Sequence, residues 1–295
     1  MGSWLSREVG KGGRARGALL HDGRGVHDLE QRNDADEAVH VDVVLAGVVP
    51  TPAVALSARD TDASFGIMIT ASHNQFQDNG IKFFSSKGTK LSDDDEIAIE
   101  RLMEMDAAEA LSAPEDMGGV TASDDASKNY VKLAASTLPE GLDLSGHKIV
   151  LDCANGAAFE TAPAIFAALG AAEIITIGNA PNGRNINKDC GSTRTDLLSK
   201  TVTDTGAQLG VALDGDADRL IMCDETGTII DGDQLLGLMG RGFKERGLLS
   251  GGGVVATVMS NLGLERFLES EGLSLIRTQV GDRYVSAAMR DDGYS

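Results

Sequence analysis

Three aspartates stand at alternate positions in Leu213-Asp214-Gly215-Asp216-Ala217-Asp218-Arg219, directly after an apolar run. Small Gly215 and Ala217 between them would let a turning loop bring the carboxylates of Asp214, Asp216 and Asp218 to one point. Left alone, such carboxylates repel one another and raise their own pKa values. A hard divalent cation removes that cost, and three oxygens with a ligand phosphate and water suit Mg2+. The alternative is a solvated acidic turn. An EF-hand is rejected: Glu225 falls at the twelfth position counted from Asp214, but the sixth is Arg219, where the calcium loop needs glycine.

A second segment, Thr70-Ala71-Ser72-His73-Asn74, ends the apolar run Phe65–Ile69. Ser72 would sit at the carboxyl edge of a sheet, where open α/β sheets place ligands. A capping serine is the other reading. His73 forms no hydrolase dyad with it, since adjacent side chains diverge. Neither G-x-S-x-G nor G-x-x-x-x-G-K-[ST] occurs in the chain.

The elements that must position these loops follow from periodicity. Strands are expected at Val43–Ala46, Phe65–Thr70, Gly80–Phe84, Ile149–Cys153, Glu173–Ile177, Leu209–Leu213, Val254–Met259 and Leu275–Val280. Helices are expected from Thr51 through Ala58, after Ser92, and at Tyr130–Ser136, Glu160–Leu169, Leu197–Thr205, Gln234–Phe243 and Leu264–Glu271. Ser92 and Asp95 form a cap in which each can bond the other's amide. Leu220–Cys223 and Thr228–Ile230 flank a Glu225-Thr226-Gly227 turn. Strands alternating with helices imply α/β architecture: tandem βαβ domains with mixed, largely parallel sheets. Pro114–Ser127 reads as a linker or surface loop. Residues 1–41 hold three of the five histidines and the only tryptophan, and no periodicity is traced from Lys11 to His40, so a poorly ordered leader is expected.

At 295 residues, the chain is long enough for two or three domains. It carries 45 acidic and 26 basic residues, a formal net charge of −19, which argues against nucleic acid as a partner. No apolar run reaches the roughly 18–20 residues of a membrane helix. Residues Met1–Ser6 contain no secretory core. Three widely spaced cysteines, Cys153, Cys190 and Cys223, without zinc spacing, suit the reducing cytoplasm.

Taken together, Thr70–Asn74, Asp78-Asn79-Gly80-Ile81-Lys82-Phe83-Phe84 and Asp214–Arg219 resemble the signatures of the α-D-phosphohexomutases. Leu151–Ala157, Pro181-Asn182-Gly183-Arg184-Asn185-Ile186-Asn187 and Val280–Val285 are similar to the bacterial phosphoglucosamine mutase branch. The match runs from about Asp42 to Tyr294. The resemblance implies a phosphohexomutase-like fold, with 1–41 an atypical leader, 42–138 a partial domain I, 139–240 domain II and 241–295 a truncated domain III.

It also implies an isomerase working as an intramolecular phosphotransferase on a hexosamine phosphate. Ser72 would carry the phosphoryl group and interconvert glucosamine 6-phosphate and glucosamine 1-phosphate through a 1,6-bisphosphate, feeding cell-wall precursor synthesis. Asp214, Asp216 and Asp218 would hold Mg2+ against the Ser72 phosphate. Lys82 would be a general acid/base, Arg219 would add positive charge, and His73 would flank the phosphoserine. From the residues alone, Lys82 reads equally as a solvated lysine and Arg219 as one half of a structural ion pair.

Departures from the family pattern carry their own expectations. Gln75 stands where the family has proline, which would loosen the serine loop. The family's F-G-T-D-G-[IV]-R-G opening, its E-x-S-G-H loop and its R-x-S-G-T-E-P loop do not occur. Little mutase activity is therefore expected of the chain by itself. Phosphomannomutase or phosphoglucomutase activity within the family is one alternative, and a non-catalytic remnant keeping the metal and phosphoserine sites is another. An α/β sugar- or nucleotide-binding module without transfer chemistry is the third. Asn155-Gly156 suits a phosphate at a strand–helix junction, but G-x-G-x-x-G is missing.

Overall fold

The computed structural model describes residues 16–21, 41–61, 63–104 and 118–295. It divides into two compact units, residues 1–228 and 229–295. No helix among the described residues is long and apolar enough to cross a membrane.

The first unit contains two sheets. In the first sheet the order is β4 (Gly80–Ser85), β3 (Phe65–Thr70), β1 (Arg16–His21), β2 (Asp42–Gly47), β5 (Val120–Ala122). The sheet is mixed, as expected, but in it antiparallel pairs outnumber parallel ones. Only β2 and β5 are parallel neighbours, while β1 runs antiparallel to both β2 and β3. Strands β2, β3 and β5 still point the same way, because β1 is inserted between two strands of one direction.

Most of the expected leader lies outside the described residues. Its segment Arg16–His21, however, takes the central place in this sheet and is not patternless chain. Pairing with a neighbour on each side makes Arg16–His21 a strand. Likewise β5 falls within the expected linker. Its three residues are exposed and are held by backbone pairing with Val43–Leu45.

Helix α1 (Thr51–Asp60) covers this sheet, burying Ala53, Val54 and Ala58 against Met68 and Phe84. Helix α2 (Asp93–Glu104) starts as expected: the Asp95 amide donates to Ser92 Oγ and the Ser92 amide to the Asp95 carboxylate, each at 3.2 Å. Helix α3 (Asp125–Ser136) packs on α1 and on α4 (Thr161–Ala168).

The second sheet contains β9 (Leu220–Asp224), β8 (Leu209–Leu213), β6 (Lys148–Asp152) and β7 (Glu173–Ile177), in that order. Strands β6, β7 and β8 are parallel, and β9 returns antiparallel to β8. Helix α5 (Asp196–Thr205) buries Leu198 and Val202 and stops at Gly206, whose φ of 64° suits a residue without Cβ. The two cores join through Ala157, which packs in the cluster containing Val49, Val54 and Met68. That fusion places the carboxyl ends of β3 and β8 in one compact unit.

The second unit opens with the short strand β10 (Ile229–Ile230) and then α6 (Gly232–Glu245). The helix is entered through a reciprocal cap between Asp231 and Gln234. An expected border at 240/241 falls inside α6, which packs on α7 (Leu262–Ser270) and β11 (Gly253–Thr257) of the same unit. Strands β11 and β12 (Ser274–Thr278) are parallel, and α8 (Asp282–Asp292), which the periodicity does not reveal, covers them. None of the α8 residues is fully buried; the face it turns to the sheet is half-buried.

Candidate active site

The serine loop leaves β3 with Ser72 in the left-handed region, φ 51°. Its amide donates to Thr70 Oγ1 at 2.9 Å, and the Asn74 amide closes a turn on the Ala71 carbonyl at 2.8 Å. The acidic loop leaves β8 with Asp214 and Asp216 fully buried and Asp218 partly exposed.

The two loops abut. A Cβ on Gly215 would lie 2.5 Å from the Ser72 carbonyl oxygen and 2.5 Å from Ile186 Cδ1, so any side chain there would push them apart. Gly156 supports the acidic loop from behind: its own Cβ would meet the Gly215 carbonyl oxygen at 2.2 Å, and the Ala157 amide donates to that oxygen at 2.8 Å. The glycine between the first two aspartates is thus required by close approach, besides flexibility.

Asp214 divides its two oxygens between structure and chemistry. Oδ1 accepts from the amides of Asp218 and Arg219, at 3.2 and 3.1 Å, which curls the loop. Oδ2 is buried and accepts no hydrogen bond. Asp216 is divided in the same way: Oδ2 takes Lys82 and the Thr51 hydroxyl, and Oδ1 is buried with no partner. One ligand oxygen from each of Asp214, Asp216 and Asp218 can be chosen so that all lie within 4.8 Å of one another. Two orphaned buried carboxylate oxygens and a third acid beside them are a hard-donor set that a divalent cation would satisfy. The residues present therefore fit a metal ion.

Lys82, on β4, places Nζ 2.6 Å from Asp216 Oδ2 and 2.7 Å from Asp218 Oδ2. Burial opposes its charge, but Asp216 first and then Asp218 outweigh that and hold its pKa above the ordinary lysine value. It is a protonated counter-ion of the acidic loop and not a solvated lysine. Arg219 is looser: its Nε lies 4.0 Å from both Asp214 Oδ2 and Asp218 Oδ1, with the side chain 54% exposed. His73 is half-buried, and its Nδ1 has no hydrogen-bond partner.

Burial, with Asp216 and Asp218 adding repulsion, pushes the Asp214 carboxyl up to about 7 against the opposing pull of Arg219. A proton on Asp214 competes with a metal below that pH. Metal affinity should therefore rise about tenfold between pH 6 and pH 8 as this proton is lost. The sign for folding is opposite. A carboxyl raised above its unfolded value binds its proton better in the native state, so the metal-free chain loses stability as pH climbs from about 4 to 7. Calorimetric Mg2+ titrations at both pH values are the check; a flat profile would mean that Asp214 is not a ligand.

Sequence reasoning missed two residues that hold these loops. Thr51, at the start of α1, donates its amide to the Asp216 carbonyl at 2.9 Å and its hydroxyl to the Asp216 carboxylate. Its signal was a threonine directly before a helix-starting proline. Asn187 reaches the serine loop from the connection after β7. Its signal lay in Asn185-Ile186-Asn187, a polar-apolar-polar triplet within a turn-rich stretch.

Fold and site together define a multidomain α/β protein with a serine loop and an acidic loop joined at the carboxyl edges of two sheets. Models of the phosphoglucomutase/phosphomannomutase family match it in three places: α/β/α domain I over residues 37–110, domain II over 128–227 and domain III over 231–295. The chain belongs to the phosphoglucomutase/phosphomannomutase family. A phosphoglucosamine mutase of Rhodospirillum rubrum is 55% identical over 258 residues, and one of Phenylobacterium zucineum 53%. Each alignment covers 88% of this chain and 57% of the relative, so the chain spans little more than half of those proteins' length. A solved family protein from Burkholderia thailandensis superposes with a TM-score of 0.67 at 25% identity, over 85% of this chain and 54% of that one.

Proposed function

We propose that this chain carries the phosphoryl-transfer site of a phosphoglucosamine mutase, with Ser72 as the residue that gives and recovers the phosphoryl group. The observation that carries this reading is the junction of loops: the Ser72 carbonyl rests against Gly215, between two buried aspartates that each keep one unpartnered oxygen. Phosphoryl transfer depends mainly on positioning and charge neutralisation, and this arrangement supplies both.

In each half-reaction a serine–phosphate bond exchanges with a sugar–phosphate bond. Phosphorylated Ser72 passes its group to the free hydroxyl of glucosamine 6-phosphate, giving the 1,6-bisphosphate and a free serine, whose oxygen regains a proton. Ser72 then takes the 6-phosphoryl group and leaves glucosamine 1-phosphate. Asp214, Asp216 and Asp218 would hold Mg2+, which when bound neutralises charge on the transferring group. Lys82 carries its proton here, which favours the roles of proton donor and cation over that of base. Arg219, exposed at the rim, adds positive charge for an anionic sugar, and His73, next in the chain, would flank the phosphoserine. Three buried, unpaired cysteines fit a reducing compartment, and we place the reaction in the cytoplasm.

The sugar is assigned from the relatives' 55% and 53% identity and is open to direct test. Chain carrying labelled phosphate on Ser72 is mixed with glucosamine 6-phosphate, glucose 6-phosphate or mannose 6-phosphate, and release of label is followed. The expected result is fastest loss to glucosamine 6-phosphate. Preference for glucose or mannose 6-phosphate would assign the phosphoglucomutase or phosphomannomutase reaction instead. Label retained with all three would overturn the transfer reading for this chain and favour the remnant that keeps the metal and phosphoserine sites without transfer.

A further inference from the structure

We infer that Asn187 is a positioning residue for phosphoryl transfer, locking the serine loop onto the acidic loop through a two-pronged amide. This rests on the reading of Ser72 as the phosphoryl acceptor. The Asn187 side-chain nitrogen lies 2.7 Å from the Ser72 carbonyl oxygen and 2.6 Å from the Asn74 carbonyl oxygen. Both partners are carbonyls that can only accept, so the amide nitrogen must face them and spends both its hydrogens there. No acidic or hydroxyl side chain of similar size can donate twice from one atom.

The clamp is built from buried, committed parts. Asn187 is 7% exposed, and its own amide donates to the Ala154 carbonyl at 2.8 Å. Its φ of 55° is a conformation that asparagine tolerates better than most residues. The preceding Ile186 is buried with its side chain against Gly215. The Ser72 carbonyl is therefore held between Gly215 on one side and the Asn187 amide on the other.

Backbone strain points to the same place. Among the described residues, the non-glycine positions with positive φ are Ser72, Ala154, Asn155, Asn187, Asp189 and Ala217. All lie in the serine loop, the acidic loop or the connections after β6 and β7. Strain of this kind persists only where the surroundings over-determine it. With Gln75 following Asn74, the loop lacks a proline to stiffen it, and Asn187 supplies restraint from outside.

The test compares the full-length chain with Asn187→Asp and Asn187→Gly. Aspartate keeps the size and the left-handed tolerance but turns a donor toward neither carbonyl; glycine keeps the backbone conformation without adding charge. Hydrogen exchange is followed by mass spectrometry in peptides spanning residues 70–76 and, as a reference for folding, in β6 and β8. The rate of Ser72 phosphorylation by glucosamine 1,6-bisphosphate with Mg2+ is measured over a range of bisphosphate concentration.

Both variants should lose about tenfold or more of the protection at residues 71–75, with β6 and β8 unchanged. The phosphorylation rate at saturation should fall roughly 10- to 100-fold, as expected for a nucleophile displaced by about 1 Å. The half-saturating bisphosphate concentration and the Mg2+ affinity should stay within about twofold, which a general loss of structure would not allow. Unchanged loop protection, or an unchanged saturating rate in a variant whose sheet is intact, overturns the inference. If the wild-type chain takes no phosphate, the phosphoacceptor reading fails and the positioning role fails with it. Loop protection in the same samples then shows separately whether the clamp exists.

Discussion

Replacing Ser72 by alanine should leave the chain unable to take up phosphate from glucosamine 1,6-bisphosphate, a loss without measurable residue. The substitution is unusually clean. The strained φ of 51° is already borne by a residue with a Cβ, so alanine adds little strain of its own. The contacts that hold the loop use the Ser72 carbonyl and amide, both of which alanine retains. Loop geometry and the acidic site should therefore survive while the acceptor oxygen is gone. Intact mass and peptide mapping of wild type and variant are the measurement. Phosphate remaining on the variant at wild-type occupancy would place the acceptor elsewhere and sink the assignment. The same proteins allow a second comparison, since a phosphorylated Ser72 adds about −1.5 to −2 charges and fresh oxygens beside the acids. Mg2+ should bind the phosphorylated chain more tightly than the free one.

Asp216→Asn should abolish most metal binding, lowering Mg2+ affinity by on the order of a hundredfold or more. Asp216 is fully buried, and its Oδ2 is already engaged by Lys82 and Thr51. An asparagine satisfies those two donors with its single oxygen, which turns its amide hydrogens toward the position that the unpartnered Oδ1 now occupies. A cation would then meet a donor where it needs an acceptor. Size and packing are kept, so the melting temperature should shift by only a few degrees. Calorimetric Mg2+ titration beside thermal unfolding makes the comparison. Full affinity in a folded variant would show that the aspartates do not act as one metal site.

The fold was readable to different depths in its different parts. Parallel βαβ units such as Lys148–Leu213 announce themselves, because the inner strands β6 and β8 are buried on both faces and α5 ends at Gly206. Strands β1 and β5 were not readable. Both exist because neighbouring backbone groups offer partners, a property of the assembled sheet and not of the residues in the strand.

The residue types of the site were legible for a local reason. Alternate aspartates after a strand, and a serine at a strand's end, are patterns within seven residues, and their chemistry follows from charge and position. Their meeting was not legible, since 142 positions separate Ser72 from Asp214 along the chain. Only tertiary structure shows that Lys82 spans two of the aspartates, that each buried acid keeps one oxygen free, and that Thr51 and Asn187 hold the loops in place. Those facts depend on which backbone carbonyls and carboxylate oxygens come within about 3 Å of one another, and a hydrogen bond of that reach carries no signature in the spacing of residues so far apart.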